Sequence, residues 1–334
     1  MSLPIGKLPP GLLAQILARA PAPDPRVLVR AGVGLDCAVV ETPGSDTLLV
    51  FKSDPITFAT DEIGWYLVHV NANDLATTGA TPRWLLVTLL LPASGATPDL
   101  VEQINAQVWR ACEALGIAVI GGHTEVTAGL ERPILAGTLI GEVTRGRLVT
   151  PRGARPGDRV LLTKGVPIEA TALLAREFAD RLRPALSEAD LAEARACLHT
   201  PGLSVLRDAQ VALRAGAVTA MHDPTEGGLA AALWELAEAS GQALVVDPAC
   251  VPVPALSARL CQALNINPLA AIASGALLLT TPPADAGAIR RALEADGIAC
   301  AELGDVMPGP PAVRQPDGRP WPWPERDAVA ALYG

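Results

Sequence analysis

Lysine is almost missing from this chain. Only Lys7, Lys52 and Lys164 occur in 334 residues, and arginine supplies the remaining positive charge. Lys and Arg together number 26 against 35 Asp and Glu, a formal net charge of −9. That balance disfavours a nucleic-acid partner, because a phosphate backbone is gripped by a basic surface. Aromatic residues make up only 3 %, and the 50 % of hydrophobic residues is weighted toward alanine. No apolar run reaches the ~18–20 residues that cross a bilayer, so no membrane partner is expected. The opening Met1–Pro10 is too proline-broken for a secretory signal, which points to a cytoplasmic protein. The six cysteines form no C-x-x-C pair, so zinc-ribbon and thioredoxin-like chemistry find no support, and most of the cysteines read as small buried apolar residues. No glycine loop ends in Lys-Ser or Lys-Thr, and Gly32-Val33-Gly34 reaches Cys37 where a dinucleotide fingerprint requires glycine. H-E-x-x-H and G-x-S-x-G are absent as well.

What is present has the length of two domains, or of one large one. Residues 1–26 read as a short helical lead (Leu12 to Ala20) and a proline-rich linker. Strands are expected at 36–41 and 47–53, a helix at 62–79 and a strand at 83–91. A well-signalled helix follows, with Thr97 as cap, Pro98 in its first turn and Gly116 at its end. Strands at 117–121 and 134–143 complete a first domain, 27–152. The turn-rich Arg152–Asp158 marks the boundary. The second domain, 153–334, opens with a strand at Arg159–Thr163. It continues with helices near 168–180, 188–198, 204–215, 254–264 and 285–295 and strands near 218–221, 243–247, 275–280 and 299–304. The fold class is α+β, and Trp321-Pro322-Trp323-Pro324 reads as a packed extended tail.

Four segments carry candidate chemistry. Met221-His222-Asp223-Pro224-Thr225-Glu226-Gly227-Gly228 reads as a strand end, a carboxylate turn and a helix start. Thr225 would be its N-cap, and the glycines would let an anion approach the first N–H groups. His222, beside Asp223, is a further candidate, whereas His69 and His199 stand outside any motif and read as structural. Asp54 ends an apolar strand that Lys52 also occupies, and Pro55 holds it extended. On the following helix Asn71, Asp74 and Thr78 share one face at i, i+3 and i+7, with Asn73 directed elsewhere. That polar face suits either magnesium and phosphate oxygens or hydrogen bonding across a subunit interface. Asp36 follows two glycines. Asp36, Asp54 and Asp74 form a plausible magnesium set, because hard cations take oxygen ligands. Gly121-Gly122 follows a strand and precedes His123, Thr124 and Glu125. There the glycines allow a ligand close approach, and His123 can titrate near neutral pH as a base or phosphate contact.

The order and spacing of Gly32–Val40, Lys52–Phe58 with Val70–Pro82, Gly121–Val126 and Met221–Leu229 resemble the superfamily of aminoimidazole ribonucleotide (AIR) synthase and the hydrogenase-maturation protein HypE. Thiamine-monophosphate kinase and selenophosphate synthetase also belong to it. The resemblance spans the chain from about Val27 onward and leans toward the HypE-like branch. It implies a two-domain PurM-like architecture: an N-terminal α/β domain that dimerises and a C-terminal α/β domain with mixed sheets. It further implies ATP and Mg2+ as cofactors, with the nucleotide in a cleft between the domains. By resemblance, Asp36, Asp54, Asn71, Asp74 and Glu125 are metal and phosphate ligands and Lys52 is a phosphate contact. Asp223, Thr225, Glu226 and Gly227 form the second-domain wall. The implied activity is ATP-dependent phosphorylation of an amide or carboxamide oxygen of an unidentified small molecule or partner protein, driving dehydration or ligation. A non-catalytic nucleotide-binding scaffold and a small-molecule kinase of the thiamine-monophosphate kinase type are the alternatives. HypE proper ends in a cysteine tail. Here the last residues are Ala330-Ala331-Leu332-Tyr333-Gly334, so dehydration of its own tail is not expected. Ala273-Ser274-Gly275 also stands where the kinase signature is expected.

Overall fold

The computed structural model describes residues 3, 6–21, 24–30, 32, 34–57, 59 and 61–333. Val33, Phe58 and Gly334, which appear in the sequence motifs, lie outside them, as do parts of the expected lead. In chain order the elements begin with α1 (Pro10–Leu17), β1 (Val27–Val29), β2 (Ala38–Glu41), β3 (Thr47–Ile56) and α2 (Ile63–Thr77). They continue with β4 (Thr81–Pro92), α3 (Pro98–Leu115), β5 (Ala118–Thr127), β6 (Ile134–Thr144), β7 (Arg159–Thr163), α4 (Ile168–Glu177) and α5 (Ala179–Leu182). Next come α6 (Glu188–Ala196), α7 (Leu206–Ala215), β8 (Ala220–His222), α8 (Gly228–Ser240), β9 (Ala243–Val246) and α9 (Ala255–Leu264). The last are β10 (Leu278–Thr281), α10 (Pro283–Ala295), β11 (Cys300–Met307) and β12 (Ala312–Arg314).

The chain divides into two compact units. One comprises Pro23–Arg30 and Asp36–Leu148; the other comprises Met1–Ala22, Ala31–Leu35 and Val149–Gly334. The division falls four residues before the expected boundary. The lead, expected as a separate appendage, groups with the second unit because its residues have partners there. The Lys7 backbone N–H donates to Glu226 Oε2 at 3.0 Å, and Lys7 Nζ donates to Thr225 Oγ1 at 3.1 Å.

The N-terminal unit is a six-stranded sheet in the order β1-β2-β3-β6-β4-β5, with α2 packed on β3 and β6 and α3 on α2. Every pairing is antiparallel except β4 with β5, which α3 connects as a βαβ unit. The expected caps of α3 are present: Thr97 Oγ1 accepts from Leu100 N at 3.2 Å, and Gly116 is left-handed with φ 67°. Gly64 brings α2 against α3, since a Cβ there would lie 2.7 Å from the Ile104 carbonyl.

The C-terminal unit is a second six-stranded sheet, order β12-β9-β11-β7-β10-β8, antiparallel except for β12 with β9. Leu162, Leu229, Leu233, Leu236, Leu244 and Leu278 lie in its core. Trp321 is buried there too, with its Nε1 donating to the Val246 carbonyl at 3.0 Å, so the expected extended tail is packed. The sequence reading missed β1, β12 and α5. They span three or four residues each, which is too short to show a period.

Candidate functional site

Strand β3 and helix α2 assemble the first cluster. Lys52 Nζ lies 3.1 Å from Asp54 Oδ2 and 3.2 Å from Asp74 Oδ2. Burial works against the Lys52 charge, but the carboxylates of Asp74, Asp36 and Asp54 outweigh it and hold its pKa well above the ordinary value. Asp54 lies within β3 and pairs with Gly137, whereas a strand end was expected; the strand runs through Pro55 to Ile56. Asn71, fully buried, ties helix to strand. Its Oδ1 accepts from Asp54 N at 3.1 Å and its Nδ2 donates to the Leu67 carbonyl at 2.9 Å. Thr78 donates to the Leu75 carbonyl at 2.7 Å and accepts from Ala80 N at 3.3 Å, so its hydroxyl closes the end of α2. Asn73 is buried within α2. The donor set around Lys52 suits a hard cation: an ammonium already bridges two carboxylates whose oxygens are the ligand type magnesium takes.

Gly121 and Gly122 lie inside β5, whereas they were expected to follow the strand and to admit a ligand. Their close approach is to the neighbouring strand: a Cβ on Gly122 would fall 1.8 Å from the Val87 carbonyl. The β4–β5 register shifts here, with Leu85 opposite Val119 and Leu86 opposite Gly121. His123, Thr124 and Glu125 follow on the same exposed strand, with His123 Nε2 at 3.1 Å from Glu125 Oε2.

The acidic turn follows β8. His222 and Asp223 are both buried, and His222 Nε2 lies 2.8 Å from Glu235 Oε2 on α8. Thr225 is not the N-cap that its sequence position suggests. Gly227 takes that place with φ 81°, and no local side chain caps the helix. The Thr225 hydroxyl accepts instead from Lys7 Nζ at 3.1 Å, and Lys7 Nζ also lies 3.8 Å from Glu235 Oε1. Gly227 N donates to Asp327 Oδ2 at 2.6 Å, so a carboxylate of this chain takes the first N–H that was expected to meet a ligand anion. Gly228, φ 63°, lies where a Cβ would meet the Ala271 and Leu269 carbonyls at 2.6 and 2.7 Å. Burial pushes Asp327 up to about 6 and Glu169, which accepts from Ser274 N at 3.2 Å, up to about 7.

Sequence reasoning missed Lys7, Glu169, Glu235 and Asp327 around this turn. Glu235 could have been found, since it follows the acidic string by less than three helical turns. Lys7 and Asp327 come from opposite ends of the chain, and no local spacing signals them.

The description "AIR synthase related protein, N-terminal domain" matches residues 34–143, and "AIR synthase related protein, C-terminal domain" matches residues 155–314. The chain is 30 % identical over 261 residues to carbamoyl dehydratase HypE of Cupriavidus necator, covering 76 % of this chain and 70 % of that protein. To carbamoyl dehydratase HypE of Rhodobacter capsulatus it is 30 % identical over 265 residues, covering 77 % and 74 %. A solved structure of hydrogenase maturation protein HypE in complex with ATP superposes with a TM-score of 0.70 at 24 % identity, covering 92 % of each chain. That likeness establishes the two-domain, PurM-like α+β fold with mixed sheets expected from the sequence.

Proposed function

As a member of the AIR synthase related family, the chain is, we propose, an ATP-dependent enzyme. It phosphorylates an amide or carboxamide oxygen of its substrate and so drives loss of that oxygen. The Lys52–Asp54–Asp74 cluster carries the reading, because a lysine and two carboxylates gathered where α2 meets β3, with the buried Asn71 beside them, form a polar site between helix and sheet. The full-length relatives bearing the carbamoyl dehydratase name give the reaction class. Magnesium, when bound, would neutralise phosphate charge, and Asp36, Asp54 and Asp74 are the residues that would hold it. Asn71 fixes the Asp54 backbone through two hydrogen bonds and so sets where that carboxylate stands. Lys52 supplies fixed positive charge to a transferring phosphoryl group. Asp223, Thr225 and Glu226 offer the second set of nucleotide contacts, on a turn whose Gly227 N–H is held by Asp327. Gly121, Gly122 and Thr124 shape the strand that presents His123 and Glu125 to substrate. We further read the protein as a cytoplasmic homodimer; among the described residues no helix is long and apolar enough to cross a membrane.

Calorimetry with a magnesium–ATP analogue tests the proposal. Wild-type protein binds it, and Asp54→Asn or Asp74→Asn weakens binding by about tenfold with the fold retained by circular dichroism. Mass spectrometry of turnover products then identifies the reaction. A dehydratase releases free phosphate and a product lighter by water, whereas a product that keeps the phosphate identifies a kinase. Failure to bind nucleotide at millimolar concentration removes the proposal.

A further inference from the structure

Helix α8 starts without a cap of its own. Gly227 is left-handed, and the nearby Thr225 hydroxyl is engaged with Lys7. The missing partner arrives from a residue 100 positions away: Gly227 N donates to Asp327 Oδ2 at 2.6 Å. The other oxygen of the same carboxylate, Oδ1, accepts from Val329 N at 2.7 Å and Ala330 N at 3.4 Å. One buried side chain therefore closes two backbone turns at once.

The segment that delivers Asp327 is anchored independently of the turn it reaches. Trp321 N donates to the Val313 carbonyl at 3.0 Å, and Trp234 Nε1 on α8 donates to the Trp321 carbonyl at 3.3 Å. Trp323 stands edge-on to Trp234 with ring centroids 6.3 Å apart, and Ala328 N donates to the Ala270 carbonyl at 2.9 Å. The fit leaves no room at Gly227: a Cβ there would lie 2.7 Å from Ala231 Cβ and 3.3 Å from the Pro324 ring. Asp327 is buried near Glu226 and Glu169, a setting that disfavours its charge, and its hydrogen bonds to Gly227 and Val329 offset part of that cost.

We propose that Asp327 is a positioning residue: residues 321–330 form a strap whose carboxylate fixes the Thr225–Gly228 backbone in the conformation that meets the nucleotide. The inference rests on the nucleotide reading above and adds to it a residue outside the acidic string. The strap grips the turn through Gly227 while Lys7 grips Thr225 and Glu226, so both chain ends hold one loop.

The full chain tests this with two readouts on wild type, Asp327→Ala and Leu293→Ala, the last a buried core change in α10 of the same unit. Amide hydrogen exchange without nucleotide is expected to run about tenfold or more faster at Gly227 in Asp327→Ala, and unchanged there in Leu293→Ala. Calorimetry with a magnesium–ATP analogue is expected to show roughly tenfold weaker binding in Asp327→Ala alone, the size of loss that a displaced positioning group produces. Unchanged exchange at Gly227 overturns the strap. Faster exchange with unchanged affinity, or an affinity loss matched by Leu293→Ala, overturns the positioning role. Wild-type protein that binds no analogue refutes the nucleotide reading and the link to it, while exchange still decides whether the strap holds the turn.

Discussion

Glu169 is a carboxyl group in a place that resists its charge. It is buried at the start of α4, accepts from Ser274 N, and burial raises its pKa from 4.5 to about 7, with Asp327 and Glu226 adding repulsion. A raised carboxyl pKa means that the folded protein binds more protons than the unfolded chain between about pH 4.5 and 7. Stability is therefore greatest below that window and falls as pH rises through it. Asp327, raised from 3.8 to about 6, contributes with the same sign over a lower window. Glu169→Gln keeps an acceptor for Ser274 N and removes the charge. The variant is expected to match wild type below about pH 4 and to exceed it by on the order of 3 kcal/mol at about pH 8, the equivalent of the shift. Denaturant unfolding midpoints across that range check the expectation; parallel wild-type and variant curves would show that Glu169 ionises freely.

At the scale of elements, the sequence was most legible where a segment carries its own signal. The α3 helix shows Thr97, Pro98 and Gly116 at its ends, and Arg159–Thr163 is bounded by turn residues, so both appear as expected. Glycine pairs were the least legible, because the demand for a missing Cβ comes from a neighbour remote in sequence. Gly121-Gly122 was read as an opening for a ligand, yet the atom it accommodates is the Val87 carbonyl on β4. Thr225 looked like a cap for the same reason: its spacing is right, but Lys7 and Asp327 settle the turn from the chain ends. The carboxylates Asp54 and Asp74 were legible because polar residues in apolar elements need partners, and Lys52 is that partner. A sharp consequence follows for β5. Gly122→Ala puts a methyl group 1.8 Å from a backbone oxygen at φ 150°, a contact only backbone movement relieves. The β4–β5 pairing should open, with a stability loss above about 3 kcal/mol by thermal or urea unfolding, whereas Ala at the open Gly129 turn should cost much less despite its φ of 80°. Equal losses at the two positions would show that φ, not contact, decides.

At the scale of the whole molecule, β5 poses a problem that one chain does not solve. It is the last strand of its sheet, and every residue from Ala118 to Val126 is exposed. Val119, Ile120 and Val126 leave 41 %, 54 % and 57 % of their surface open. A long edge with apolar side chains on it and no lysine to guard it invites pairing with another strand. A second copy of the chain is the occupant consistent with the proposed homodimer, and a pair related by a two-fold axis would bury the same strand from both sides. Each chain carries a net charge of −9, so like-charge repulsion opposes association and high salt should tighten it. Sedimentation equilibrium should therefore find a particle of twice 34.5 kDa at micromolar concentration. Val126→Lys places a charge near the C-terminal end of the apolar edge, where pairing would leave its desolvation uncompensated, and should shift the protein to monomer while leaving its far-ultraviolet dichroism unchanged. A wild-type monomer at that concentration would separate this chain from the dimeric reading and leave its apolar edge to a different partner.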